Sequence, residues 1–201
     1  MYGYSPIYSS YGYVAARSCP WPRSKVELNQ KFRALWAQHI YWTRLAVNSI
    51  AGSLPDLQPT LNRLLRNPDD FAAVLTPFYG TANASEFARL FREHLTIAAE
   101  LVQLLKAGNT QAAADAQKRW YANADAIAVF LARINPFWSQ KEWQRMMYEH
   151  LKLLTEEVAA RLSGNYTENV ATNDRIEPQA YEMADVMTEG VVRQFPSAFQ
   201  V

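Results

Sequence analysis

Four long segments of this sequence repeat apolar residues every three or four positions, which is the spacing of one face of an α-helix. No segment of comparable length alternates apolar and polar residues with a period of two, as a half-buried β-strand does. Helices with one apolar face must pack against one another, so the sequence predicts an all-α fold. The four stripes are Leu28, Phe32, Leu35, His39, Trp42, Ala46 and Ile50; Phe87, Phe91, His94, Ala98, Leu101 and Leu105; Ala113, Ala116, Trp120, Asn123, Ile127, Phe130 and Ile134; and Trp143, Met146, His150, Leu153, Glu157 and Ala160.

Glycine, proline and capping residues set the expected ends of these helices. We predict long helices over residues 24–51, 85–107, 110–134 and 139–164, with one or two short helices near 57–66 and 69–78. A fifth long helix is predicted over residues 167–195, and Pro178 in its interior removes one backbone hydrogen bond. The predicted architecture is an up-and-down four-helix bundle with a fifth long helix that is kinked or broken at Pro178.

Residues 1–23 differ from the rest of the chain, because they combine five tyrosines with three prolines and contain no acidic residue. Such a segment cannot form a core of its own, so we predict an extended N-terminal arm and a single helical domain over residues 24–201. Tyrosine is a frequent anchor of protein interfaces. We therefore expect a homo-oligomer in which the arm contacts a neighbouring subunit through Tyr2, Tyr4, Tyr8, Tyr11 and Tyr13.

The composition argues against several other classes of partner. Lys and Arg number 20 against 19 acidic residues, so the chain has no net field to attract nucleic acid. The longest apolar stretches are interrupted by charges, which argues against insertion into a membrane, and no secretion signal precedes them. The single cysteine, Cys19, excludes an internal disulfide and fits a reducing compartment, so a cytoplasmic location is expected.

A polar residue lies near the centre of each of the four stripes, and all three histidines of the chain lie on them. In a bundle of helices of similar length, residues near the helix midpoints come to a similar height. The sequence therefore predicts one buried polar layer formed by His39, His94, Asn123 and His150.

Two roles for this layer stay open. Imidazoles from different helices are common ligands in bundle cores, so the layer could bind zinc, iron or manganese through the three histidines and Asn123. Additional carboxylate ligands would come from Glu157, Glu100, Glu93 or Glu149. Alternatively, the layer is a hydrogen-bonded structural feature that fixes the packing register, with Glu157 paired to Arg161. Haem is less favoured, because Met183 and Met187 at helical spacing are more typical of a core.

Two of the histidines lie in similar surroundings. Residues 93–95 and 149–151 both read Glu-His-Leu, and Trp36 and Trp120 are each followed three residues later by His39 and Asn123. This similarity predicts an internal duplication in which the first two long helices correspond to the third and fourth. His94 would then superpose on His150, and His39 on Asn123.

The segments "LWAQHIYWTR", "LPDLQPTLNRLLRNPDDFA", "RWYANADAIAVFL" and "MADVMTEGVVRQFP" carry a resemblance to a family of small helical proteins. The chain resembles uncharacterised proteins of spore-forming Gram-positive bacteria over about residues 30–196. The resemblance implies an all-α fold and a bacterial interior or spore setting. It implies no reaction and no catalytic residue, so whether the protein is an enzyme is not predicted.

Overall fold

The computed structural model describes residues 23–199, and for Arg23 only the backbone. The predicted tyrosine anchors of the arm therefore lie outside the described residues, and the contacts of the arm remain a prediction. Within residues 23–199 all regular structure is helical, which confirms the all-α fold. None of the helices over residues 23–199 combines the length and the hydropathy that a membrane span needs.

The helices follow the predicted boundaries closely, with one exception. They are α1 (Arg23–Gly52), α2 (Leu57–Leu64), α3 (Asn67–Lys106), α4 (Thr110–Ile134), α5 (Gln140–Leu162) and α6 (Tyr166–Gln194), followed by a 3₁₀ helix over Pro196–Phe199. The exception is α3, which joins the short helix predicted near 69–78 to the long helix predicted over 85–107. Most of the predicted stripe residues are buried, so the four stripes do form the core.

The joined helix α3 reverses direction at Gly80. The backbone of Gly80 has φ 76° and ψ 163°, a conformation that is open almost only to glycine. The Phe71 ring, before the break, contacts the rings of Phe87 and Phe91 after it, with centroids 5.9 and 5.3 Å apart. Residues 67–79 therefore fold back against residues 81–106, and we treat them as two separate parts of α3.

Residues 67–79, the first part of α3, run back alongside α1 after α2. Ser49 donates to Asp56 near the end of α1, and Asn67 donates to the carbonyl of Leu35 in its middle. The ring of Phe71 stacks on Phe32 still closer to the start of α1. As the α2–α3 segment proceeds, its contacts move from the end of α1 toward the start of α1. The helix α1 and the α2–α3 segment therefore form an antiparallel hairpin.

The described chain is thus a ring of three helical hairpins. The first hairpin comprises residues 23–79, the second comprises residues 81–134, and the third comprises residues 140–194. Asp69 pairs with Arg92 between the first and second hairpins, and Tyr148 donates to Asp125 between the second and third. Asp185 on α6 pairs with Arg33 on α1 and closes the ring.

This arrangement bears on two predictions. The fifth long helix does not decorate a four-helix bundle, because α6 packs between α5 and α1 as a full member of the ring. The reason lies in the segment that follows α1, which is itself amphipathic and buries Leu64, Phe71 and Leu75. This segment packs as the sixth helical element of the ring. The helix α6 runs unbroken through Pro178, so of the predicted kink or break the break is excluded and the kink stays a prediction. Pro178 is exposed, and a missing hydrogen bond on the solvent side of a helix is tolerated.

The three hairpins use the same turn. Ser53, Gly108 and Gly164 end the first helices with positive φ angles of 52°, 72° and 77°. In each turn the following amide donates back to a carbonyl five residues earlier, at N···O distances of 2.9, 3.0 and 2.9 Å for residues 54, 109 and 165. Such a left-handed cap satisfies the last carbonyls of a helix and lets the chain turn within a few residues.

Candidate functional site

The three histidines occupy one place in the three hairpins. Each lies in the first helix of its hairpin; His94 follows His39 by 55 positions, and His150 follows His94 by 56. All three are at most 3% exposed. Aromatic rings surround them, with centroid distances of 5.4 Å from Trp36 to His39, 5.1 Å from Phe91 to His39 and 5.3 Å from Trp120 to His94. The predicted buried histidine layer is therefore present.

The second and third hairpins hold their histidines in the same way. In the second, Nδ1 of His94 lies 2.9 Å from Oδ1 of Asn123, whose Nδ2 donates to the carbonyl of Leu90 at 3.1 Å. In the third, Nδ1 of His150 lies 2.8 Å from Oε1 of Gln179, whose Nε2 donates to the carbonyl of Met146 at 3.0 Å. Both networks join residues 29 and 33 positions apart.

These networks assign the tautomers of two histidines. Because the amide nitrogens of Asn123 and Gln179 point at backbone carbonyls, their oxygens must face the imidazoles. An oxygen that faces a ring nitrogen at hydrogen-bond distance requires that nitrogen to carry the proton. His94 and His150 are therefore protonated on Nδ1, and Nε2 of each neutral ring carries a lone pair.

His39 and His150 approach each other through their other ring nitrogens. Their Nε2 atoms are 3.4 Å apart and their ring centroids are 5.5 Å apart. Nε2 of His150 is an acceptor in the assigned tautomer, so in the metal-free protein the proton between the two rings must belong to His39. The contact is then a long N–H···N hydrogen bond, which Nε2 of His39 donates to Nε2 of His150.

The first hairpin repeats only half of the network seen in the other two. Asn67 is fully buried and donates through Nδ2 to the carbonyl of Leu35 at 3.0 Å, four residues before His39. Asn67 thus has the same place in its hairpin as Asn123 and Gln179 have in theirs. The three amide residues follow one another at intervals of 56 positions. However, neither Nδ1 of His39 nor Oδ1 of Asn67 has a hydrogen-bond partner within the described part of the chain.

Burial keeps all three imidazoles neutral. Loss of hydration lowers the pKa of His39 well below its usual value, and repulsion from His150 and His94 lowers it further. Burial lowers the pKa of His94 to about 3, although its hydrogen bond to Asn123 opposes the shift. Burial likewise lowers the pKa of His150, against the effect of Gln179. Neutral imidazole is the form that binds metals.

Three of the four candidate carboxylates lie away from the histidines, at the protein surface. Glu93, Glu100 and Glu149 have side chains that are 43–50% exposed. Each pairs with an arginine on the same or the neighbouring helix: Arg89, Arg119 and Arg145 respectively. Their stripes place them at the edge of the apolar face, and the arginines draw them outward. The structure does not bring them to the layer.

Glu157 is buried, but its partners are not the histidines. Its carboxylate accepts from Nη1 of Arg44 at 2.5 Å, and Nη2 of Arg44 donates to Oδ1 of Asn169 at 3.0 Å. Burial raises the pKa of Glu157, while the charge of Arg44 lowers it. The predicted pairing with Arg161 is replaced by Arg44, because α1 packs against α5 and α6 at this height. The cluster joins the first and third hairpins.

Asn123 does not take the ligand role suggested for it, since its oxygen holds the back of His94. Among residues 23–199, no group of three or more His, Cys, Asp or Glu side chains is already arranged to hold a metal ion. The close pair is His39 and His150, with His94 near enough to affect the charge of His39.

The predicted superposition of His39 on Asn123 does not hold. His39 shares its place with His94 and His150, and Asn123 shares its place with Asn67 and Gln179. Sequence reasoning missed both of these amides. A spacing of 56 residues between equivalent positions could have revealed Asn67 and Gln179. The same spacing also relates Arg63, Arg119 and Arg175, and it relates Ala72, Ala128 and Ala184.

The geometry of the chain alone defines this site. Two imidazoles have their Nδ1 atoms fixed by amides and one Nε2 pair in contact, and the layer is closed off by aromatic rings. Comparison of the chain with family models, with curated proteins and with solved structures gave no match.

Proposed function

We propose that the histidine layer binds one divalent transition metal through Nε2 of His39, His94 and His150. The observation that carries this proposal is the contact of 3.4 Å between Nε2 of His39 and Nε2 of His150. Two nitrogens bound at about 2.1 Å to a tetrahedral metal lie about 3.4 Å apart. The pair is therefore spaced as two ligands of one ion would be.

The amides behind the rings support the same role. A histidine that binds a metal usually donates its other ring N–H to an oxygen acceptor, which fixes the tautomer and the ring orientation. Asn123 and Gln179 supply such acceptors to His94 and His150 at 2.9 and 2.8 Å. Both are buried, so their orienting effect is not shared with solvent.

The donor set favours zinc among the three metals considered. Neutral imidazoles suit zinc and iron, whereas manganese prefers carboxylate and carbonyl oxygen. The nearest buried carboxylate, Glu157, is already paired with Arg44. Three nitrogens would leave a position for a water molecule, which is the pattern of a zinc site with one open coordination position.

Metal binding is tested on protein purified without a histidine tag and stripped with a chelator. After addition of zinc and removal of the excess, elemental analysis should give about one equivalent per chain. Cobalt in place of zinc should give the visible absorption of a tetrahedral nitrogen site, because this spectrum reports geometry as well as binding. Less than about a tenth of an equivalent would overturn the proposal.

The site is located with paired substitutions. His39→Leu and His150→Leu each remove one member of the contact and should weaken zinc binding at least about 100-fold, since even an orienting residue contributes 10-fold to 100-fold. Asn169→Leu is the matched control, because Asn169 is also buried and donates to a backbone carbonyl, but in the Glu157 cluster. Equal affinities in the control and the histidine variants would contradict the site.

The competing role is a purely structural layer, and the same contact favours it. If His39 simply donates to His150, the two rings tie α1 to α5 without a metal. In that case chelator and zinc would leave the unfolding transition unchanged. A bound metal instead stabilises the folded state by an amount that grows with the logarithm of its concentration above the dissociation constant, so added zinc should raise the melting temperature.

A further inference from the structure

We propose that the outer groove between the second part of α3 and α4 is the contact face of a homodimer, with a two-fold axis that crosses the groove near Ala126. The second copy of the chain lies antiparallel to the first, so that each α4 packs in the groove of the other copy. The proposal is independent of the metal site. It rests on the shape of the groove and on the arrangement of the charges at its two ends.

The groove is wide and has an apolar floor. It has a volume of about 680 Å³ and runs along the outside of the second hairpin. Leu90 and Ile97 line it on α3, and Ala122 and Ala126 line it on α4. Helices approach each other more closely where the side chains between them are small. The two alanines therefore leave room for a further helix beside α4.

The outward face of α4 is uncharged over more than two turns. Between positions 119 and 133 its exposed residues are Ala122, Ala126 and Val129. The side chain of Val129 is large for such a position, and the residue is 49% exposed. Exposed apolar surface that is bordered by charges is typical of a protein contact face. This face of α4 is the part of each copy that would enter the groove of the other.

The other two hairpins carry charges at the equivalent positions. In the third hairpin, Glu182 lies 56 positions after Ala126 and accepts from Arg145 of the neighbouring helix at 2.6 Å. In the first hairpin, Asp70 lies 56 positions before Ala126 and pairs with Arg66 at 3.2 Å. A hairpin of this kind thus folds with charged residues at this place. The uncharged face of the second hairpin is not a requirement of the fold.

Each end of the groove has a glutamate on α3 and an arginine on α4. At one end, Arg119 donates to Glu100 at 2.6 Å. At the other end, the pKa of Glu86 is lowered by its hydrogen bond with Arg89 and also by the charge of Arg133. Arg133 therefore lies near Glu86. At both ends the helix α4 supplies the cation and α3 supplies the anion.

The spacing of these four charges is symmetrical. The two glutamates lie seven positions on either side of Glu93, and the two arginines lie seven positions on either side of Ala126. Seven residues correspond to about 10 Å along a helix. The pairs at the two ends of the groove are thus about equally far from its middle.

A two-fold axis through the middle of the groove exchanges the two ends. Arg119 then faces Glu86 of the second copy, and Arg133 faces Glu100 of the second copy. Opposite charges meet at both ends, which fixes the register of the contact. A two-fold contact uses the same surface on both copies and must be complementary to itself. The third hairpin lacks this property, because Glu189 stands 56 positions after Arg133.

Self-association is measured by sedimentation velocity of the full chain in the presence of chelator, so that the result does not depend on zinc. The wild type should form a dimer as its concentration rises to about 100 μM, where a complex with a micromolar dissociation constant is mostly formed. Salt should weaken the dimer by screening the exposed charges. A wild type that is still monomeric at this concentration would overturn the proposal.

The contact face is located with Ala126→Glu, which introduces the residue that the third hairpin has at this place. The hairpin should stay folded, but dimerisation should weaken at least about 10-fold, because the new charge lies against the apolar face of the second copy. Ala171→Glu is the matched control, since Ala171 is an exposed alanine of α6. A dimer that survives Ala126→Glu but is lost on removal of residues 1–22 would overturn the proposal and assign the association to the N-terminal arm.

The two-fold register is tested by exchanging the charges between two variants. One variant carries Arg119→Glu and Arg133→Glu, and the other carries Glu86→Arg and Glu100→Arg. Exposed ion pairs contribute little to stability, so circular dichroism should show that both variants are folded. Each variant alone should stay monomeric, because like charges meet at both ends, and an equal mixture should form a heterodimer. Folded variants that dimerise alone, or that stay monomeric when mixed, would overturn the proposed register.

Discussion

The first hairpin lacks one hydrogen bond that the two following hairpins share. All three have the same left-handed turn and the same amide-to-carbonyl bond, but only the second and third join histidine to amide. The difference shows a limit of repeated architecture. Three equivalent units bring three imidazoles together, and when two of them meet through Nε2 they cannot all have the same tautomer. The first hairpin is the one in which histidine and amide are not joined within the described residues.

The largest expected effect is the response of the metal-free protein to acid. The pKa of each histidine is lowered in the folded state, to about 3 for His94, from about 6.5 in the unfolded chain. Between these values the unfolded chain binds more protons, so acidification favours unfolding. Each neutral histidine should cost up to about 1.4 kcal/mol of stability per pH unit below pH 6.5.

This response is measured as urea unfolding at pH 7, 6 and 5 in the presence of chelator. His94→Leu and His39→Leu should each remove about a third of the slope, because all three rings are neutral whether or not their Nδ1 is bonded. A slope that disappears with one variant alone would show that the hairpins differ in charge as well as in hydrogen bonding.

The next largest effect should separate the two asparagines in the metal-free protein. Asn123→Leu removes two buried hydrogen bonds and leaves Nδ1–H of His94 without an acceptor, so the free energy of unfolding should fall by about 3 kcal/mol. Asn67→Leu removes only the bond to the Leu35 carbonyl and should cost about 1 kcal/mol. Equal costs in chemical denaturation would contradict this difference between the two hairpins.

A smaller effect is expected at the turns. Ser53 has φ 52°, where an L-residue is strained, while the other two hairpins have Gly108 and Gly164 at this position. Ser53→Gly should therefore stabilise the protein by about 0.5–1 kcal/mol, and Gly108→Ser should destabilise it by a similar amount. Thermal unfolding of the two variants checks the sign, and stabilisation by Gly108→Ser would contradict the equivalence of the turns.

The smallest effects concern three equivalent arginines. Arg119 and Arg175 pair with Glu100 and Glu156 at the surface, whereas Arg63 donates to Gln38 and lies over the Trp42 ring. Each Arg→Ala variant should lose only a little stability, because exposed ion pairs and cation–π contacts are weak. Salt should reduce the loss for Arg119 and Arg175 by screening, but not for Arg63, whose partners are uncharged. Unfolding at 0.05 and 0.5 M salt tests this contrast.

The sequence predicted the helices well, because their stripes and end signals are local. The helix over residues 110–134 was predicted with the bounds that the structure has. The buried level of the three histidines was also predictable, since each stands on an apolar face at mid-helix. These features need only a spacing of three or four residues and a terminating glycine or proline.

The ring of three hairpins is not predicted from the sequence, because the second half of the first hairpin is divided into α2 and residues 67–79. Asn67 stands directly before Pro68, where the local pattern indicates only a helix start, and yet Asn67 is fully buried. Gln179 lies on the fifth long helix, outside the four stripes whose central polar residues mark the layer. Long-range equivalence of this kind depends on pairing between helices, which a local pattern does not encode.

Closure of the ring has a consequence for how the chain folds. Each hairpin joins helices through turns of a few residues, so its contacts form between neighbours in the chain and with little loss of loop entropy. The contacts of Arg33 with Asp185 instead join residues 152 positions apart. Folding rates fall as such distant contacts increase. We therefore expect α1 to dock against α6 last, as the slow step in the assembly of an otherwise locally connected protein.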